Sequence, residues 1–446
     1  MKTFSFRHLL LIAGGIIGLA ILAFPAFAQD AAKMLELQRV IDAQQKQMEA
    51  QQKQLDTQRQ LLQDLQKQME SLVKDADTQE VPVAAEKPAA KPEVASTKAP
   101  PPAEGRYLGG GGERAKLSLS GWVNRMVNIV DDGKNTDAYF VDNDDAESRI
   151  NLVGTVTATD DLTIGSRIEL TIAPNKSGNV SQKNQEVNNI FDQRWVEASL
   201  ASKRFGKLSL GKGDTASMNT AAADLSQTGI IAYATITDVA GGMLFREKND
   251  DNLTDVSIFD AFHNFDGLNR KNRIRYDTPT YHGFSLGTSA ISDQRYDGAL
   301  RWGGQGYGFK AIGAAAFAYP NEDDTDFQYD GSFSLLHDKT GLNLTLSAGL
   351  LERDNQSDPY NYYGKVGWLT RFFSFGKTAF SADYARSVNL PTDSDDGYSI
   401  GAAAVQQFEE YGTEIYLLYR LHSLDRDVEP SVHDINVVSV GTRIKF

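Results

Sequence analysis

The sequence predicts an all-β chain: a 16-stranded antiparallel transmembrane β-barrel with an N-terminal α-helical coiled coil. Three observations predict it. Downstream of residue 114, segments of about 9 to 11 residues alternate polar and apolar side chains, the length a tilted strand needs to cross a bilayer. The connections between them alternate short and long. Upstream, residues 34–72 carry an apolar heptad pattern. A mean hydropathy of -0.38 agrees with this, because an alternating barrel averages to a soluble-looking value. A net charge of -14 argues against nucleic acid as a partner, which would need a basic footprint. The absence of cysteine excludes disulfides, thiolate metal sites and thiol nucleophiles together, and the sequence points to no metal and no cofactor.

The first element is an export signal. Lys2 and Arg7 precede an apolar run from Leu9 to Phe24, and Ala26-Phe27-Ala28 supplies the small residues of a cleavage site, so residues 1–28 read as a signal peptide. The alternative is an uncleaved anchor, since the run approaches the ~20 residues that span a bilayer.

Residues 29–74 read as the coiled coil. Met34, Ile41, Met48, Leu55, Leu62 and Met69 recur every seven residues, with Leu37, Gln44, Gln51, Gln58, Leu65 and Leu72 three residues after each. A helix this polar buries its seam only by oligomerising, and the central Gln positions penalise misaligned partners. Residues 75–113 then form a linker, with Pro82, Pro88, Pro92 and Pro100 to Pro102 among Ala, Lys and Glu, followed by Gly109 to Gly112.

Residues 114–446 form the barrel. Ile150, Leu152, Val156 and Ala158 alternate with Arg149, Asn151, Thr155 and Thr157; Leu162, Ile164, Ile168 and Leu170 with Thr163, Arg167, Glu169 and Thr171. Residues 342–350 and 413–420 repeat the scheme. Short connections (159–161, 201–206, 303–306, 337–341, 408–412) alternate with long acidic ones (131–147, 172–192, 319–327, 387–396, 423–433). That is the asymmetry of a membrane barrel, with tight turns at one rim and long loops at the other. Aromatics gather beside the short turns, among them Phe205, Tyr281, Phe284, Tyr307, Phe309, Phe372, Phe373, Phe375, Phe408 and Tyr411, as an interfacial belt would. The chain ends on an alternating strand, VVSVGTRIKF, whose last residue is Phe446. Closure requires this strand to pair with the segment near Leu117.

The closing strand and its terminal Phe resemble those of bacterial outer-membrane barrels, in which the final aromatic is read by the barrel-assembly machinery. Arg273 to Phe284 (RIRYDTPTYHGF) resembles the strand-turn-strand segment of trimeric Gram-negative porins, and LSGWVN from Leu119 with YFVDND from Tyr139 resembles the opening strands of alphaproteobacterial porins. The added coiled coil resembles a subgroup that includes dicarboxylate-channel porins. The resemblance implies a homotrimer in the outer membrane, in contact with lipid bilayer and lipopolysaccharide, with the coiled coil in the periplasm and peptidoglycan as a further candidate partner. It also implies that the very long connection 213–269 folds into the pore and narrows it.

That connection carries Asp224, Asp238, Asp255 and Asp260 among other acids. Arg149, Arg167, Arg273 and Arg275 fall on the polar phase of their strands, as do Glu169 and Glu197. A basic wall facing an acidic loop would set a transverse field across the constriction and sort solutes by charge. The competing account is that the arginines only brace lumen carboxylates. Arg125 falls in phase with Val123 and Val127, facing lipid unless a bulge shifts it; Arg420 and Arg443 face inward, nearer opposite mouths. Net acidity at the mouths draws cations while arginines at the neck draw anions, and the sequence does not rank the two.

The resulting reading is a non-enzymatic porin, a water-filled channel for passive diffusion of small hydrophilic solutes and ions. One rival is an envelope tether in which the coiled coil engages the cell wall. The other is an outer-membrane lipase using Ser285 with His282 or His337, because GFSLG (283–287) and GYSIG (397–401) match a nucleophile elbow. Both matches lie within alternating strands with no helix after them, and GKLSLGK (206–212) lacks the Ser or Thr of a phosphate loop.

Overall fold

Burial in this chain is inverted. In the strand Leu342–Arg353, Leu342, Leu344 and Leu346 are 59, 38 and 48 % exposed while Asn343, Thr345 and Ser347 between them are buried. Apolar side chains outside and polar ones inside suit a wall between lipid and an aqueous lumen. The computed structural model describes residues 106–108, 115–187, 191–322 and 324–446. The signal peptide, the coiled coil and most of the linker lie outside the described residues.

The wall has 16 strands in antiparallel succession. They are β1 (Ala115–Asp131), β2 (Thr136–Asp142 continued by Arg149–Thr157), β3 (Leu162–Thr171), β4 (Asp192–Ser202) and β5 (Gly206–Asp214). Then come β6 (Arg270–Asp277), β7 (Phe284–Ile291), β8 (Tyr296–Gly306), β9 (Phe309–Tyr319), β10 (Thr325–His337) and β11 (Leu342–Arg353). The last are β12 (Tyr360–Phe373), β13 (Gly376–Val388), β14 (Asp396–Phe408), β15 (Thr413–Asp425) and β16 (Ile435–Lys445).

β16 closes the barrel on β1, with Lys445 opposite Trp122 and Asn436 opposite Asp131. Gly121 and Phe446 exchange two backbone hydrogen bonds of 3.0 Å. A Cβ at Gly121 would lie 2.4 Å from the Arg149 carbonyl oxygen, so the seam needs glycine there. Closure thus falls beyond Leu117. Leu117 to Leu119 pair instead with a short strand, Arg106–Leu108, inside the span read as linker.

Three connections differ from the sequence reading. Residues 131–147 are not a loop: Thr136–Asp142 pairs with β1 after a tight turn, and only the turn Asp144–Ala146 interrupts β2. Asn143 starts that turn by accepting a 2.9 Å bond from the Asp145 amide. Residues 303–306 belong to β8, and the turn is Tyr307-Gly308. The long-loop rim also holds a tight connection of its own at 292–295.

Residues 215–269 fold back into the barrel as an inner loop carrying a hairpin (Leu244–Arg246 with Leu253–Ser257) and a single helical turn, α1 (Ile258–Ala261). Apolar Ile230, Ile231, Ile236, Phe245, Ile258 and Phe262 pack with Tyr363, Leu418 and Leu424 of the wall. Polar wall side chains pin the rest. Asp297 accepts from the Ser217 amide at 2.9 Å and its hydroxyl at 2.5 Å. Ser332 and Ser334 accept from the amides of Ala223 and Leu225 at 2.9 and 3.0 Å. Lys365, fully buried, donates to Asp224 at 2.6 Å and to the Ala232 carbonyl at 2.7 Å. The loop is therefore fastened along β8 to β12, and Arg246 on Asp132 at 2.7 Å and Asn143 on the Ile230 carbonyl at 2.8 Å tie it to the far ends of β1 and β2 as well, which leaves the open lumen beside Arg149–Thr157 of β2, β3, β4 and β16.

Candidate functional site: the neck of the lumen

The open side gathers the cavity's cations among the wall carboxylates Asp144, Asp145, Glu147, Glu169 and Glu414. Arg149, Arg167, Lys176, Arg194, Arg270, Arg443 and Lys445 line one cavity of about 810 Å³, which the inner loop borders with Tyr233, Asp238, His263 and Asp266. Two tryptophans organise the guanidinium groups. Arg149 and Arg443 sit 4.5 and 5.5 Å from the centre of the Trp122 ring, and Arg167 and Arg270 sit 3.8 and 4.8 Å from that of Trp195. Stacking on an aromatic face holds a planar fork in place without neutralising it. Carboxylates fix the other edges: Glu169 accepts from Arg149 at 3.2 Å, Arg167 at 2.5 Å and Arg194 at 2.8 Å, Glu147 pairs with Arg194 and Lys176, and Glu414 accepts from Arg443 and Lys445.

Arg194 reaches this cluster through a backbone irregularity. Strict alternation along β4 turns it outward, alongside Val196. The register against β3 slips between Glu169 and Leu170, opposite Gln193 to Trp195, and this bulge turns Arg194 into the lumen. Lys176 belongs to the 172–191 connection, part of which also folds inward, with Asn128 donating to Ser177 at 2.9 Å.

The loop's acids behave differently from one another. Burial pushes the Asp238 and Asp266 carboxyls up to about 6. Asp224 is buried too, yet the Lys365 ammonium and the Ser226 amide outweigh burial and hold its carboxyl below the usual range. Asp238 also accepts a 2.6 Å bond from the Tyr233 hydroxyl.

Of the residues predicted from sequence, Arg149, Arg167, Glu169, Asp224 and Asp238 reach the cavity lining. The others do not meet there. Arg273 is a brace, donating to Glu197 at 2.5 Å and to the carbonyls of Gly211 and Asp214, and Arg275 clasps Asp277 and the Thr215 carbonyl where the inner loop begins. Asp255 is exposed at the hairpin, paired with Lys183 at 2.9 Å, and Asp260 completes the cap of α1 by accepting from Ser257. Asp224 touches the lumen but serves as the anchor for Lys365. Arg443 stands at the neck, not near a mouth, because it shares Trp122 with Arg149; Arg420 is buried against Asp383 at 2.8 Å. No bulge rescues Arg125, which stays on the outer face and donates to the Pro174 carbonyl at 2.7 Å.

A family model for Gram-negative porins matches residues 90–427. The chain belongs to the Gram-negative porin family. No curated protein matches its sequence. The solved anion-selective porin from Comamonas acidovorans is 16 % identical, with a TM-score of 0.51 over 74 % of this chain and 100 % of that one. OmpT, an outer membrane protein of Vibrio cholerae, is 12 % identical, with a TM-score of 0.50 over 75 % of this chain and 99 % of that one. At such identities the likeness shows the fold. Family and fold together make this porin an outer-membrane channel. They also point away from hydrolysis: in this porin Ser285 lies on β7 opposite Arg301, while His282 and His337 sit at two different turns.

Proposed function

We propose that this porin is a water-filled channel for passive diffusion of small hydrophilic solutes and ions, with a neck that favours small anions. The observation that carries the reading is the one-sidedness of the neck. Guanidinium groups stacked on Trp122 and Trp195 gather on one side of the cavity, while the inner loop brings Asp238 and Asp266 to it and commits Asp224 to Lys365. Arginine suits the role because it stays charged and offers a bidentate fork to carboxylate or phosphate. The kinship with dicarboxylate-channel porins suggested by the coiled coil fits a preference for organic anions.

The working unit we propose is a homotrimer, with the barrel seated in lipid and lipopolysaccharide and inserted by the barrel-assembly machinery. Exposed tyrosines and Trp368 stud β8 to β15, including Tyr296, Tyr329, Tyr362, Tyr384, Tyr398 and Tyr419. The outer face of β1 to β5 is mainly aliphatic instead, with Val123, Ile129, Ile164, Ile168, Val196, Leu200 and Leu208 beside a single exposed aromatic in its strands, Phe140, and it carries Arg125. Arg125 is held there by Asp142 at 3.6 Å and the Pro174 carbonyl at 2.7 Å, which lets a charge stand on a face otherwise fit for a subunit contact. The periplasmic coiled coil, with peptidoglycan within its reach, extends from the same chain.

Purified protein in planar bilayers should open in groups of three equal conductance steps. In a salt gradient the reversal potential should carry the sign of anion preference. Absence of open-channel steps would remove the channel reading, and a cation-signed potential would remove the anion preference alone.

A further inference from the structure

One ring of the inner loop faces the lumen where the rest of the loop hides its apolar side chains. Phe259 is 55 % exposed, the one large apolar side chain of residues 215–269 left so, while Ile258, Ala261 and Phe262 around it are at most 1 % exposed. The cause is local. Ser257 and Asp260 cap α1 reciprocally, and the amides of Ile258 and Phe259 donate to the carbonyls of Met243 and Gly241 at 2.9 and 2.8 Å. A turn held this firmly has one face for the wall and one for the cavity. Ile258 and Phe262 take the first, with Phe262 reaching the His422 ring of β15 at 5.4 Å. Phe259 takes the second, with His263 edge-on beside it at 6.4 Å between ring centres. The imidazole is fixed in turn, since its Nδ1 accepts from the Phe265 amide at 2.9 Å.

Both rings line the cavity of about 810 Å³ that also holds Arg149, Arg167 and Arg194. Small-molecule sites have this form, roughly 300–1,000 Å³ with an apolar lining and a few placed charges. The two tryptophans of the neck do not supply an apolar face, because guanidinium groups already cover them. Phe259 keeps more than half of its surface free, and Met218, Leu225 and Tyr233, each partly exposed, extend the apolar lining of the loop. Narrowing the pore does not explain the ring. A polar side chain of the same length would narrow it equally, without holding apolar surface in water.

We infer that the neck selects organic anions with a planar apolar body, aromatic monocarboxylates in the simplest case, with the carboxylate on the arginine side and the ring on Phe259 and His263. The inference rests on the anion preference proposed above and adds the substrate class to it. Charge complementarity decides which end meets the arginines, and the planar guanidinium fork matches a carboxylate. Contact with one further ring is worth roughly two- to ten-fold in affinity. A gain of that size slows passage without trapping the solute, as a diffusion channel requires.

Benzoate and acetate are the probes, equal in charge and different in the ring. With chloride carrying the current through the full-length porin in planar bilayers, benzoate should reduce that current at a concentration several-fold lower than acetate does. Phe259→Gln, polar and of similar reach, should raise the benzoate concentration needed to that of acetate, and Phe259→Tyr, which keeps the ring, should preserve the difference. The reversal potential in a potassium chloride gradient should be the same in the native and variant porins, because charge sets it. Equal potency of benzoate and acetate in the native porin would overturn the inference, and so would a benzoate preference that Phe259→Gln leaves unchanged; with an anion-signed potential, either result removes the substrate class alone. A cation-signed potential would overturn the anion preference and this inference with it.

Discussion

The two faces of the inner loop use the same residue types to opposite ends. Against β8 to β12 the charges are buried, paired and bonded to the loop backbone: Asp297 on Ser217, Lys365 on Asp224 and Ala232. Across the open neck they are gathered on one side, stacked on tryptophan and paired with Glu147, Glu169 and Glu414, and they line the cavity without bonding the loop backbone. A lumen-facing arginine is therefore not a functional one by phase alone. Which side the loop leans on decides, and it leans on the side that offers hydroxyls and carboxylates to its amides.

The largest effects should come from breaking the fastened face. Lys365→Met leaves Asp224 buried without its cation, which costs about 3–5 kcal/mol. The urea midpoint should fall and the open-channel current should become noisy as the loop loosens. Next, Arg273→Ala removes a buried partner of Glu197 and should cost roughly 2–4 kcal/mol by the same reasoning. Its expected signature is lower stability with an unchanged reversal potential, because Arg273 does not line the neck.

A subtler probe acts on the loop's open face. Asp238 and Asp266 are raised to about 6, so both carry charge above that pH and lose it as pH falls through 6. Loss of loop anions strengthens the field of the arginine wall, so anion preference should increase on acidification from pH 7.5 to 5. Reversal potentials across that range test it, and Asp238→Asn with Asp266→Asn should flatten the dependence. The smallest change in selectivity is expected from Trp195→Leu, which removes a buried stacking surface worth about 2 kcal/mol and should widen the spread of single-channel conductances without reversing selectivity.

Much of the barrel was legible because its physics is periodic. Leu342 to Leu350 displays two faces in the bare sequence, and an even strand count with an aromatic terminus leads to closure. The neck was legible only where phase holds. Arg149 and Arg167 obey alternation and reach the cavity lining; Arg194 breaks it at a bulge that no local residue announces, since the slip arises from pairing with β3. Lys176 and Arg270 lie where connections meet the lumen, and Arg443 acquires its place from Trp122, distant in sequence but adjacent across the seam. Arg273 and Arg275 share the inward phase, but the fold brings them to Glu197 and Asp277, partners that lie on other strands or two residues away and that phase alone does not reveal. Asp255 and Asp260 were counted with the neck for their loop's acidity, although a hairpin and a helix cap claim them.

The account stands most directly on one measurement: the reversal potential in a tenfold salt gradient for two matched pairs of variants. Arg167→Ala with Arg194→Ala removes charge from the neck, and should shift selectivity toward cations by roughly five-fold in permeability ratio, the equivalent of about 1 kcal/mol for a partly screened charge. Arg273→Ala with Arg275→Ala removes the same formal charge from the bracing set and should leave the ratio where it was. Equal shifts in the two pairs, or a shift only in the second, would contradict the division between a functional wall and a fastened one.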